Sequence, residues 1–169
     1  REKAEKIVKT FRPSQPISVG FTVDKLIYEY EHFTLHSRIL LDRLNWFLNY
    51  YFMTDTRNLY IFYKDINTRY PEDELAKKVL TVIDKHRPYL DNQISTDKTK
   101  HRTERDHLAH RGLIQFTFCN LHIFPDGTVK PILFTKDEPF GAEADEVLEK
   151  RFSDLSAFVK DIINVFFDF

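Results

Sequence analysis

From about Val23 to Met53, apolar side chains recur at Leu26, Tyr30, Phe33, Leu40, Leu44, Phe47 and Tyr51, in steps of three, four or seven. That spacing predicts one long helix with a wide apolar face, the spine of the fold. Ahead of it, REKAEKIVKT reads as a short amphipathic helix halted by Pro13 and Pro16, which donate no backbone hydrogen bond and constrain the residues before them. A linker through Gly20 follows. Beyond the spine, Thr54-Asp55-Thr56 makes a break with helix-capping chemistry, and Leu59 to Tyr70 is predicted to be a helix ending before Pro71. Glu72 to His86 carries Leu75, Val79, Leu80 and Ile83 at helical spacing, and Pro88 then interrupts before a short turn through Ile94.

Between Thr96 and Arg111 the apolar pattern nearly disappears. Only Leu108 and Ala109 are apolar, against five Lys/Arg and three Asp/Glu, too little to dock a helix by burial. Ser95 or Thr96 can cap a polar helix here, and Gly112 can end it in a left-handed cap. The period then changes from 3.6 to 2. Ile114, Phe116 and Phe118 alternate with Gln115, Thr117 and Cys119, and Pro125-Asp126-Gly127-Thr128 turns the chain into Val129 to Phe134. Last, Leu148, Phe152, Leu155, Val159, Ile162 and Phe166 form a stripe on a long C-terminal helix, predicted to pack on the spine. The fold class expected is mainly α, a single domain over residues 1–169. It is a bundle of about five to seven helices with one antiparallel β-hairpin inserted at about 113–134.

Composition narrows the function. The 169 residues include 16 Phe, enough for a substantial core, and 25 Lys+Arg nearly balance 26 Asp+Glu. A polyanion would therefore have to bind a local patch rather than the whole surface. The single cysteine, Cys119, makes neither an internal disulfide nor a cysteine-rich metal site, and alternating with phenylalanines in a strand it reads as a packed side chain. No stretch approaches the roughly 18 apolar residues that span a bilayer, so no membrane association is expected and the cytoplasm is the default location. The sequence opens at Arg1 with no initiating Met, so the want of a leader is weak evidence. There is no P-loop and no G-x-G-x-x-G, and no cofactor is expected.

Chemistry concentrates in HRTERDHLAHR, His101 to Arg111, which holds three of the seven histidines and three arginines. Asp106 and His110 stand four apart and share a helical face, so the carboxylate can hold one imidazole nitrogen and orient the other for acid or base work. Arg105 suits a phosphate clamp, but a five-residue step to His110 turns about 140° and climbs about 7.5 Å, so the two do not share a face. Joining them takes a frayed helix end or a second chain across a dimer axis. Spacing alone is weak, because Arg102 and His107 make a second R-x4-H pair. The full string RDHLAH followed by Arg-Gly is the distinguishing signal.

In that string the chain resembles the HEPN superfamily of small helical bundles, many of which carry an R-x4-to-6-H motif with a polar residue after the arginine. The resemblance spans about ten residues, and the inserted hairpin departs from the minimal all-helical bundle. It implies a metal-independent RNA endonuclease of toxin or defence type, a homodimer with its motifs facing one another, an RNA substrate and an inhibitory partner protein. Arg105, Asp106 and His110 would be catalytic, His110 handling the 2′-hydroxyl proton and Arg105 the charge on phosphorus. Lys100, Arg102, His107 and Arg111 would contact RNA. Some members of the superfamily are non-catalytic, so a nucleotide- or protein-binding module is the competing reading.

Two further readings use the same residues. Glu29-x-x-His32 and Glu104-x-x-His107 have the spacing of di-iron bundles, with Glu5 and Glu74 as candidate further ligands, and His32 and His36 could hold one divalent ion together with His107 or His110. A buried metal centre needs an apolar shell, which the charged segment does not offer, and no metal is expected. The plainest alternative makes the polar helix a solvated face or a dimer interface, with Lys100, Arg102 and Arg111 as solvated charges.

Overall fold

A computed structural model describes residues 14–22, 24–94, 118–135, 138 and 140–167. The order of elements is β1 (Ile17–Thr22), α1 (Asp24–Tyr51), α2 (Leu59–Arg69), α3 (Glu74–Lys85), α4 (Arg87–Ile94), β2 (Phe118–Ile123), β3 (Val129–Phe134), β4 (Ala142–Glu143) and α5 (Ala144–Phe167). The fold is mainly helical with a small antiparallel sheet, as the alternating periods predict. No helix among the described residues is long and apolar enough to cross a membrane. The expected first helix, the polar helix and the start of the hairpin at 113–117 lie outside the described residues.

The described residues separate into two compact units, one reaching Tyr30 and resuming from Phe118 to Glu149, the other comprising Glu31 to Ile94 and the chain from Lys150 onward. The first unit contains the sheet, in the order β1-β2-β3-β4. The hairpin β2–β3 is in register from Phe118 opposite Phe134 to Ile123 opposite Val129. Its turn follows from local chemistry: Asp126 Oδ1 accepts from the Thr128 amide at 2.8 Å and hydroxyl at 2.7 Å, and Gly127 takes φ +84°. β4 pairs only with Ile132 and Leu133, leaving Pro131, which has no N–H to give, outside that ladder.

Two expectations fail in this unit. The linker through Gly20 is instead strand β1, whose Ile17–Val19 segment pairs with Ile123–Leu121 before a register shift. Pro16 ends just ahead of the ladder, so it removes no bond from it. The alternation is also out of phase, since Cys119 is buried and Phe118 is 44% exposed, stacked on its cross-strand partner Phe134 at 4.5 Å. An aromatic pair shields part of its own surface, so Phe118 need not point to the core.

In the second unit α1, α2, α3, α4 and α5 enclose one apolar core, centred on Leu41, Leu48, Phe62, Ile66, Val79, Phe158 and Ile162. α3 has the simplest cause: Asp73 caps it by accepting from the Ala76 amide at 2.7 Å, and Ala76, Val79 and Ile83 form its buried stripe. α2 is capped by Asn58, whose side chain accepts from the Ile61 amide at 3.0 Å. The expected capping residues Thr54 and Thr56 serve a different purpose. Asn45 and Asn49 each donate to the Thr56 carbonyl, at 2.7 and 2.6 Å, while both threonine hydroxyls donate to Asn49 Oδ1 at 2.7 Å. This buried network ties the end of α1 to the loop that follows, and every bond in it satisfies a group that burial would otherwise penalise.

The stripes of the two longest helices also need correction. On α1 the buried positions are Tyr30, Thr34, Ser37, Leu41, Leu44, Asn45, Leu48 and Asn49, whereas Leu40, Phe47 and Tyr51 are exposed by 42%, 37% and 51%. Phe47 and Tyr51 instead flank the core, against Phe166 of α5 at 5.0 and 4.7 Å, which gives the expected packing of C-terminal helix on spine. On α5 the core residues are Leu155, Phe158 and Ile162, of which the predicted stripe holds the first and last, and Phe152 is 63% exposed. The expected turn after Pro88 is helix α4. Pro88 is its second residue, where no intrahelical partner exists for an N–H, so proline costs no bond there.

Candidate functional site

Arg105, Asp106 and His110, with Lys100, Arg102, His107 and Arg111, all lie outside the described residues, in the chain between α4 and β2. Glu104 and Glu5 of the metal reading also lie outside the described residues. The remaining metal candidates are placed. His36 and His32 sit one turn apart on α1, their rings 6.0 Å apart, and the His36 Nδ1 hydrogen-bonds the His32 carbonyl at 2.8 Å. Glu74 is occupied differently, accepting from Lys77 Nζ at 3.2 Å in the first turn of α3. Among the described residues no group of three His, Cys, Asp or Glu converges as ligands would.

Two constellations appear that the sequence does not announce. The first joins α3 to α5. Asp161 Oδ2 meets His86 Nε2 and Lys85 Nζ, each at 2.7 Å, and the His86 ring leans on Phe158 at 5.5 Å. The His86 hydrogen bond, and then that from Lys85, hold the Asp161 carboxyl below the usual carboxylate range. A carboxylate that fixes one imidazole nitrogen is the geometry of an acid–base pair, yet its partners here are two helices rather than an open cleft. It serves as a clamp. No spacing rule could have found it, because its partners are 75 residues apart on separate elements.

The second is a shallow open cleft lined by Leu59, Tyr60, Tyr63, Ile83, Arg87, Leu90 and Asp91. Arg87 reaches Asp84 Oδ1 through Nη2 at 2.7 Å and Nε at 3.2 Å, with its guanidinium 4.8 Å from the Tyr63 ring. The Tyr63 hydroxyl donates to Asp84 Oδ2 at 3.0 Å, and burial, followed by that bond, raises its pKa. Asp84 thus already neutralises the one arginine of the cleft, so an anionic ligand would compete with an internal carboxylate.

The remaining reactive groups are in the sheet. Burial pushes the Cys119 thiol up to about 11, which keeps it protonated and unreactive. His122 leans on Phe134 at 6.1 Å, and its Nε2 is buried without a hydrogen-bond partner.

No protein-family model, curated protein or solved structure matches this chain. Its chemistry is accordingly inferred from its own residues. None of the constellations placed by the fold combines a nucleophile or base with an open anion site, and the densest group of reactive side chains stays the basic, histidine-rich string His101 to Arg111.

Proposed function

We propose that the chain is a HEPN-type RNA endonuclease acting without a metal, of the toxin or defence kind, working in the cytoplasm with Arg105, Asp106 and His110 as its catalytic group. The observation that carries this reading is the string RDHLAH followed by Arg-Gly. The mainly helical fold is compatible with it. Asp106, one turn before His110, would orient the imidazole. His110 would take the 2′-hydroxyl proton, and the 2′-oxygen would attack the adjacent phosphorus while the bond to the 5′-oxygen breaks. Arg105 would stabilise the extra negative charge on the phosphoryl oxygens, and the proton taken by the imidazole would return to the leaving 5′-oxygen. Lys100, Arg102, His107 and Arg111 would hold the flanking phosphates. Because the net charge is only −1, such binding would depend on these local charges and weaken steeply with salt.

The test is incubation of the purified chain with structured RNAs in excess EDTA. Cleavage should survive chelation and fall at least about 100-fold in both Arg105→Ala and His110→Ala, the range for loss of a general base or a charge-stabilising donor. Chelation that abolishes cleavage would favour a metal enzyme. Binding without cleavage, across varied RNAs, would make the chain a non-catalytic module.

A further inference from the structure

The cleft formed by α2, α3 and α4 has a charge balance that favours one class of ligand. Three buried core residues, Leu59, Ile83 and Leu90, give it an apolar lining. Tyr60 and Tyr63, one turn apart on α2, add aromatic rings, and Arg87 and Asp91, one turn apart on α4, add charge. Arg87 is held by its two hydrogen bonds to Asp84, so these two charges cancel. Asp91, by contrast, has no hydrogen bond or ion pair among the described residues. Both rings already carry a cation, the Arg87 guanidinium 4.8 Å from Tyr63 and Lys64 Nζ 4.5 Å from Tyr60. Lys64 is exposed and meets no carboxylate among the described residues, so its ammonium rests on the ring alone. Such a contact at an exposed site is weak, and a lysine on a flexible stem leaves it readily.

We propose that this cleft binds a small organic amine, as its ammonium ion, carried on an apolar body. The body lies on Leu59, Ile83 and Leu90, and the ammonium faces Asp91 and takes the place of Lys64 Nζ on the Tyr60 ring. Charge selects this class over the others. An anion would have to draw Arg87 from Asp84 and would then meet the Asp91 carboxylate. A neutral body would take water from Asp91 and return no partner to it, which costs free energy. An ammonium answers that carboxylate, and the ring face it needs is one on which the fold already seats a cation. Arg87 stays where it is, because its bonds to Asp84 and the bond from the Tyr63 hydroxyl to the same carboxylate hold the far side of the cleft in place. The ligand therefore meets a wall that is ordered beforehand, and only Lys64 has to move.

The site uses none of the residues proposed to cut RNA and holds whether or not the chain does so. Titration of the intact, isotope-labelled chain, followed by NMR, tests it with three molecules that share one body: phenethylamine, phenethyl alcohol and phenylacetate. Phenethylamine should move the amide signals of Tyr60, Tyr63, Leu90 and Asp91 together, with Kd on the order of 1 mM for so open a site. The alcohol should bind about threefold more weakly, and the acid more weakly still. Asp91→Asn should weaken phenethylamine about threefold, as loss of one exposed ion pair does, and Tyr60→Leu about fivefold, since it keeps apolar bulk but removes the ring face. Lys64→Gln should tighten binding about threefold by removing the competing cation, an effect that a merely structural lysine would not have. Helical circular dichroism should be unchanged in all three variants. N-acetyl-lysine methylamide should bind more weakly than phenethylamine, because its longer chain loses more rotamer freedom. Tighter binding of the lysine amide would overturn the assignment to a free amine and give the cleft to a peptide side chain. Equal affinity for amine and alcohol, no effect of Asp91→Asn, weaker binding in Lys64→Gln, or no saturable shift up to about 20 mM amine overturns the proposal.

Discussion

At the scale of single residues, two glycines with nearly the same backbone angle differ in what surrounds them. Gly127, at φ +84°, has open space where a Cβ would stand, while a Cβ on Gly141, at φ +82°, would lie 2.6 Å from Ile132 Cγ2 and 2.7 Å from Phe134 Cε1. Alanine at either position meets left-handed backbone strain of about 1 kcal/mol. Only Gly141→Ala also forces apart a buried isoleucine and an aromatic pair, so it should lose about 2–3 kcal/mol, against about 1 kcal/mol for Gly127→Ala. Urea unfolding of the two variants checks this, and equal losses would mean that the β3–β4 corner yields freely. The turn at Gly127 is legible in the sequence because Pro-Asp-Gly-Thr carries its own hydrogen bonds. Gly141 is not, because its constraint comes from side chains seven and nine positions earlier.

Among the elements, legibility follows how sharply each helix distinguishes its two sides. α3 has one apolar stripe and a capping aspartate, and its position follows from these alone. α1 is apolar on both sides, so periodicity establishes that it is a helix without choosing the face that turns inward. The choice is made by Asn45, Asn49, Thr34 and Ser37, polar residues that reach the interior; Ser37, for example, donates to the Phe33 carbonyl at 2.7 Å. β1 is hidden because an edge strand has a pairing partner on one side only, and that partner, β2, stands about a hundred residues later.

The clamp between α3 and α5 is likewise a contact between elements, and it makes stability depend on pH. The folded carboxyl of Asp161 titrates below its unfolded value, so the stabilisation is fully present above the ordinary aspartate value of about 3.9 and is lost as pH falls through the lower, folded one. Asp161→Asn should cost about 1–2 kcal/mol near neutrality, and the gap between it and the parent chain should close as the pH falls below the ordinary aspartate value. Thermal melts of the pair over that range provide the check. A gap that persists undiminished at the acid end would show that the charge on Asp161 is not what holds the helices.

At the scale of the whole molecule, the helical class and the inserted hairpin are readable because each long element declares its period and its turns. The site is readable only as chemistry. In RDHLAH the residues proposed to cut RNA stand in order, but Arg105 and His110 lie on different faces of an ideal helix, so the string does not by itself say how they meet. Attack by the 2′-hydroxyl is measured most directly on an RNA that the chain cleaves in EDTA, with a single 2′-deoxy substitution at the nucleotide 5′ to the cut. This change should abolish cleavage at that bond while the unsubstituted RNA yields a 2′,3′-cyclic phosphate and a 5′-hydroxyl. Cutting of the 2′-deoxy bond at an undiminished rate would contradict it.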